Sequence, residues 1–404
     1  MPQHMILKCL KSNLNNLCGV VINIFDMLQL ISNMTNGSDK MKERKSNIEL
    51  LRIVTMIMII FHHFAIHGKF NFPPGYISIN RMWILFIWIF GKIGVDIFVL
   101  ISGYLLITSK KVKTTKIIKF YFQLIFYSIG IYLIFSLLKI IPFSKKELIY
   151  CFFPITNNLW WFASSYFVLY ILSPFINKFA QESTQKTYKN LLLLMAFIWC
   201  IIPTLTDKGV QSNSLIWFTF VYLLGGYIKL YKDDLKIKYI YIKILLSILL
   251  TVSSSILIAK FQIKIPLINI YPTYFYGMDK LPILLISLLI FIAFKNLDIK
   301  TNKIINTIAS TTFGIYLIHD NPYIRKFLWQ TLFKNAKHVN KLYLIPYSIT
   351  TCVLVFIVCS IIEYLRIFLI EKRYMAIIYK YENKINNTFS RLMKRVNKAI
   401  NKAI

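Results

Sequence analysis

Acidic residues are scarce in this chain. Asp and Glu together number 16 in 404 residues, against 48 Lys and Arg, and all charged residues make up only 16% of the sequence. Cysteine is thin as well: six residues, with no CxxC pair and no regular spacing, four of them in or beside apolar segments where Cys behaves as a small hydrophobe. A disulfide framework and a Cys-based zinc site are therefore not expected. Glycine and proline, at 13 and 12 residues, are too few for a low-complexity or fibrous chain. Abundant instead are apolar residues, at 57%, and aromatics, at 16%, which together with a mean hydropathy of +0.58 exceed what a soluble domain carries. A net charge of +32 would read as a nucleic-acid footprint in a soluble protein. Here the lysines cluster in short loops between apolar runs, the distribution expected of a membrane protein with no nucleic-acid partner.

Uninterrupted apolar runs of roughly 18 to 25 residues are long enough to cross a hydrocarbon core of about 30 Å as helices. The expectation is an all-α integral membrane protein of about ten spans. They lie at 48–67, 83–107, 117–141, 159–177, 190–206, 214–230, 239–260, 281–295, 303–319 and 344–370. One set of alternate loops collects about twice the Lys and Arg of the other, which places both termini in the cytoplasm. Residues 1–46 read as a leader, disordered or misassigned, with Met41 before Lys42, Glu43, Arg44 and Lys45 as a natural start. Residues 371–404 read as a basic amphipathic tail on an anionic inner leaflet.

Titratable residues inside spans are costly and mark function by default. In the first span Arg52 and His63 are eleven residues apart, three helical turns, so they share a face with an axial displacement of about 16.5 Å. Arg52 reads either as a cytoplasmic anchor paired with Glu49 or as a ligand-binding cation. His63 reads either as a satisfied interhelical hydrogen bond or as a general base. His63 and His67 have i, i+4 metal-ligand spacing, but no carboxylate or Cys stands near them in the same helix, so no metal is expected. In the second span Asp96 needs a partner. Lys92, one turn away, is one choice; His63 on the neighbouring helix is the other, and would form a carboxylate-oriented imidazole. Gly94 and Gly103 permit close helix approach.

Several segments resemble the membrane-bound acyltransferase-3 family, whose members O-acylate cell-surface glycans. Glu49-Leu50-Leu51-Arg52 followed by ten residues and His63 is similar to the family's Arg-x10-His signature. Gly94-Val95-Asp96-Ile97-Phe98 with Ile101-Ser102-Gly103-Tyr104-Leu105 resembles its second-helix motif. Leu159-Trp160-Trp161-Phe162, Tyr166, Leu169-Tyr170-Ile171-Leu172-Ser173-Pro174 and Thr312-Phe313-Gly314-Ile315-Tyr316-Leu317-Ile318-His319 follow in the family's order, so the resemblance covers about residues 47–370.

The resemblance implies a stand-alone membrane O-acetyltransferase of the bacterial plasma membrane, without an SGNH-type esterase domain and with no bound cofactor. It would use acyl-CoA from the cytoplasm, most simply acetyl-CoA, and an acceptor hydroxyl on a cell-surface glycan, an exopolysaccharide or a lipid-linked saccharide. On that scheme His63 is the base, Asp96 its orienting carboxylate and Arg52 the grip on coenzyme A phosphates. Ser102 is a candidate acyl acceptor. Trp160, Trp161, Tyr166 and Tyr170 are either a platform for a sugar ring or an interfacial belt. His319, before Asp320 and Asn321 at a membrane edge, either binds the acceptor or is an exposed capping residue. A transporter or flippase for a lipid-linked saccharide is the rival reading, and the absence of an internal repeat weighs against it.

Overall fold

A computed structural model describes residues 45–265, 268–387 and 391, so all but the last two residues of the proposed leader lie outside the described residues, as does the end of the tail beyond residue 391. Among the described residues no β-strand forms; one isolated bridge joins Ile265 and Ile268. A helix covers each of the ten expected segments. They run α1 Ser46–His67, α2 Ile79–Leu106, α3 Thr114–Leu137, α4 Trp161–Glu182, α5 Gln185–Thr206, α6 Ser214–Tyr231, α7 Ile240–Phe261, α8 Leu281–Lys295, α9 Lys303–His319 and α10 Leu344–Lys380. Seven of these, all but α4, α8 and α9, are both long and apolar enough to cross a membrane, fewer than the ten spans expected from the runs alone. The shortfall has physical causes: α8 and α9 have 15 and 17 residues, and α4 mixes Ser, Asn and Gln into its apolar face. The expected break between the last span and the tail is absent. Helix α10 continues through a π-turn, Ile367–Glu371, to Lys380.

Helices α1 and α2 sit at the centre. Helix α2 packs against α1, α6 and α8, and α1 packs also against α9 and α10. Two apolar cores result, one around α2, α6 and α8, the other around α1, α3, α9 and α10. Large apolar side chains such as Leu137, Phe175 and Leu250 point outward on the bundle's exterior, an apolar surface suited to lipid.

Glycines decide how α2 is gripped. A Cβ on Gly103 would meet the Tyr222 carbonyl oxygen at 2.0 Å, and one on Gly225 would meet that of Leu100 at 2.3 Å, so α2 and α6 cross almost backbone to backbone. On another face, Gly91 lies against the His62 ring and Gly94 against Ile59 and Thr55, which seats α1. Polar ends are tied across the sequence: Asn47, at the start of α1, donates to the carbonyls of Lys295 and Leu297 at 2.9 and 3.2 Å, satisfying groups left open at the end of α8. In α4, Pro174 cannot donate to the Tyr170 carbonyl, which takes the Ser173 hydroxyl at 2.8 Å instead.

Candidate active site

His63 is four residues from the end of α1, and His319 is the last residue of α9. The α1–α9 packing brings them together: His63 Nδ1 lies 2.9 Å from His319 Nε2, both rings buried. The tautomers follow from one further contact. His319 Nδ1 is 2.6 Å from the Ile315 carbonyl oxygen one turn back, and a carbonyl only accepts. A neutral His319 therefore carries its proton on Nδ1 and presents the Nε2 lone pair to His63. The His63 proton is then on Nδ1, donated to His319, and His63 Nε2 keeps a free lone pair. That is the form a general base needs.

Beside this pair stands Asp320, 2% exposed, with its Oδ1 3.6 Å from His63 Nδ1 and 3.7 Å from His67 Nε2. Arg325, from the short helix Pro322–Lys326 that follows, holds the same carboxylate oxygen at 2.9 Å and donates to the Asp320 backbone carbonyl at 3.0 Å. A positive charge forming on His63 would thus find a buried carboxylate within 4 Å. Sequence reasoning passed over Asp320 and Arg325. The signal was present in the His319-Asp320 dipeptide, but nothing in the sequence says that the end of α9 meets the end of α1.

The expected pairing of Asp96 with His63 is not what the structure builds. Asp96 is fully buried and accepts from the Trp217 indole Nε1 at 2.9 Å, on α6. Helix geometry gives the reason: Gly91 and Gly94 face α1, and Asp96, two residues beyond Gly94, points about 200° away from it. Lys92 is not the partner either; its Nζ lies 5.4 Å from the centre of the Trp161 ring. Nor is His319 an exposed cap, since its relative exposure is 0%. The ground for expecting no metal also changes: the carboxylate missing from the first helix arrives from the chain after α9, and His63, His67 and Asp320 place one ligand atom each within 4.8 Å of one another.

The remaining expected residues fall elsewhere. Arg52 pairs with Glu49 at 3.5 Å, one turn away on α1, and keeps 30% of its side chain exposed at the end of the helix opposite His63. Ser102 Oγ is 2.9 Å from the Phe98 carbonyl oxygen and 3.2 Å from the Tyr166 hydroxyl. Because His62 packs level with Gly91, Ser102 lies eleven residues, about 16.5 Å of helix rise, from the level of the histidine pair. Trp160 is 1% exposed, capped into the core at the start of α4, so it offers a face neither to a sugar nor to an interface. Phe162, Tyr166 and Tyr170 form a near-parallel aromatic column along α4, with interplanar angles of 9° and 14° between neighbours.

A family model described as an acyltransferase domain, of the acyltransferase-3 type, matches residues 45–364, about four fifths of the chain. No curated protein and no solved structure matches the chain. The matched stretch runs from the first turn of α1 to within the last helix and takes in the histidine pair, Asp320 and every helix that packs around them. A bundle with at least seven helices fit for a bilayer, matched over that length, is a multi-pass membrane protein, and the chain belongs to the acyltransferase-3 family of membrane acyltransferases.

Proposed function

We propose that this protein is a membrane O-acyltransferase that moves an acyl group, most simply acetyl, from cytoplasmic acyl-CoA to a hydroxyl of a cell-surface or exopolysaccharide sugar, free or lipid-linked. The observation that carries the reading is the buried His63–His319 contact, which leaves His63 Nε2 as an unprotonated base. On this proposal all ten helices cross the bilayer of the plasma membrane and both termini are cytoplasmic. Arg52 then lies toward the cytoplasmic face and the histidine pair toward the other.

His63 Nε2 takes the proton of the acceptor hydroxyl as its oxygen attacks the thioester carbonyl. The imidazolium so formed is stabilised by Asp320, and His319 holds the ring in register. Collapse of the tetrahedral adduct forms the ester, breaks the C–S bond and returns the proton to the coenzyme A sulfur. Arg52 grips the coenzyme A phosphates, for which its guanidinium, half shared with Glu49, retains exposed donors. The pantetheine arm then runs along α1 toward His63. The hydrogen-bonded Ser102 and Tyr166 stand nearer the Arg52 end of that path, and Trp161, beside Lys92, nearer its histidine end. Direct transfer is favoured over a Ser102 acyl-enzyme, because Ser102 sits at the depth of Arg52 and its hydroxyl is engaged by Phe98 and Tyr166.

Acyl incorporation into surface glycan, measured in cells carrying His63→Ala or Arg52→Ala at wild-type membrane abundance, tests the assignment. Both are expected to lose acylation. Undiminished acylation in both would overturn it.

A further inference from the structure

We propose that His63, His67 and Asp320 form a binding site for a divalent transition metal of the zinc class, and that occupancy blocks the transferase by locking His63 in the wrong tautomer. The blocking rests on His63 being the base; the binding does not.

Three ligand atoms converge. Asp320 Oδ1 is 3.6 Å from His63 Nδ1 and 3.7 Å from His67 Nε2, and the three residues each offer a ligand atom within 4.8 Å of the other two. Bonds of about 2.0 to 2.1 Å in a tetrahedron require ligand atoms about 3.3 Å apart, so two edges are already within a few tenths of an ångström. The third edge joins residues one helical turn apart on α1, and the His67 side chain, 20% exposed, has room to turn. Two imidazoles and one carboxylate favour zinc-class ions over magnesium or calcium, which take oxygen. Three protein ligands leave the fourth position for water.

Metal on His63 Nδ1 needs the lone pair of that nitrogen, which in the metal-free pair carries the proton donated to His319. The proton of a neutral imidazole then resides on Nε2, and the ring can no longer accept one from a hydroxyl. Arg325 opposes the metal, because its guanidinium occupies Asp320 Oδ1 at 2.9 Å. The site is therefore a weak, reversible one whose affinity is set by the Arg325–Asp320 pair.

The test uses the full chain purified in detergent, with Zn²⁺ binding read by competition against a chromophoric chelator and, in parallel, thioester consumption from acyl-CoA with glycan acceptor. Mg²⁺ serves as the control ion. One Zn²⁺ per chain is expected, His67→Gln weakening it by about tenfold or more and Arg325→Gln tightening it. Activity, scaled to each variant's own metal-free rate, should fall with occupancy and not with Mg²⁺. A gain of affinity in Arg325→Gln cannot come from misfolding, which guards the His67→Gln result. No binding by the wild type, or equal binding by wild type and both variants, would overturn the site. Binding that follows the variants while thioester consumption is undiminished would leave the site standing and overturn both the blocking and the role of His63 as base.

Discussion

Two of the charge clusters buried among the described residues, one between α3 and α10 and one between α1 and α9, are finished differently. Between α3 and α10, Glu363 accepts from Gln123 at 2.8 Å and Tyr127 at 2.5 Å and from Nε and Nη2 of Arg366 at 2.7 and 2.8 Å. Arg366 reaches on to Glu371 at 2.5 Å, and Lys119 pairs with the other Glu371 oxygen. Each carboxylate oxygen there has a donor. Between α1 and α9 the accounting stays open: His63 has one nitrogen engaged and one free, and Asp320 is shared among three cations or potential cations. A saturated network has no capacity left for a ligand and fixes the positions of helices. An unsaturated one retains a lone pair to use on a substrate.

That contrast can be broken by experiment. The largest effect is expected at His63→Ala, where loss of the base should cut transfer by about 10²- to 10⁴-fold while membrane abundance stays at the wild-type level. A comparable fall in abundance would place His63 with the structural charges. Next comes Glu363→Ala, which leaves Arg366 with Glu371 alone and takes the buried acceptor from Gln123 and Tyr127, and should cost about 3 to 5 kcal/mol; thermal unfolding in detergent would show it, with the specific activity of the surviving protein little changed. Gly225→Ala is smaller, about 1 to 3 kcal/mol of strain where its Cβ meets the Leu100 carbonyl, and is read in the same unfolding assay. The smallest effect belongs to Asp96→Asn, which keeps an oxygen for the Trp217 N–H and so should leave the transfer rate within a few-fold of the wild type. A loss matching that of His63→Ala would restore Asp96 as a partner in the chemistry.

Hydropathy located all ten helices because a bilayer accepts little besides long apolar helices, and that demand is written in consecutive residues. Even the short segment 303–319, polar at both ends, forms α9 over Lys303–His319. Part of the candidate site's geometry was equally legible. Arg52 and His63 share one helix, and eleven residues of spacing fix their common face and separation wherever that helix is placed. Gly103 was legible as a crossing point for the same reason, since only a missing side chain lets backbones meet.

What His63 touches was not legible. Its partner is 256 residues away in sequence, at the far end of a helix whose rotation is set by packing. Asp96 shows the same limit from the other side: its sequence distance from the glycines that seat α1 determines that it faces away from α1, but only the tertiary structure says which helix those glycines receive. Sequence alone determined the elements and the residues that share a face, because helical rise and the bilayer act locally along the chain. The tertiary structure decided which faces meet, because side-chain packing between distant helices sets their rotation and register, and with them the choice of His319 and Asp320 over Asp96 as the neighbours of His63.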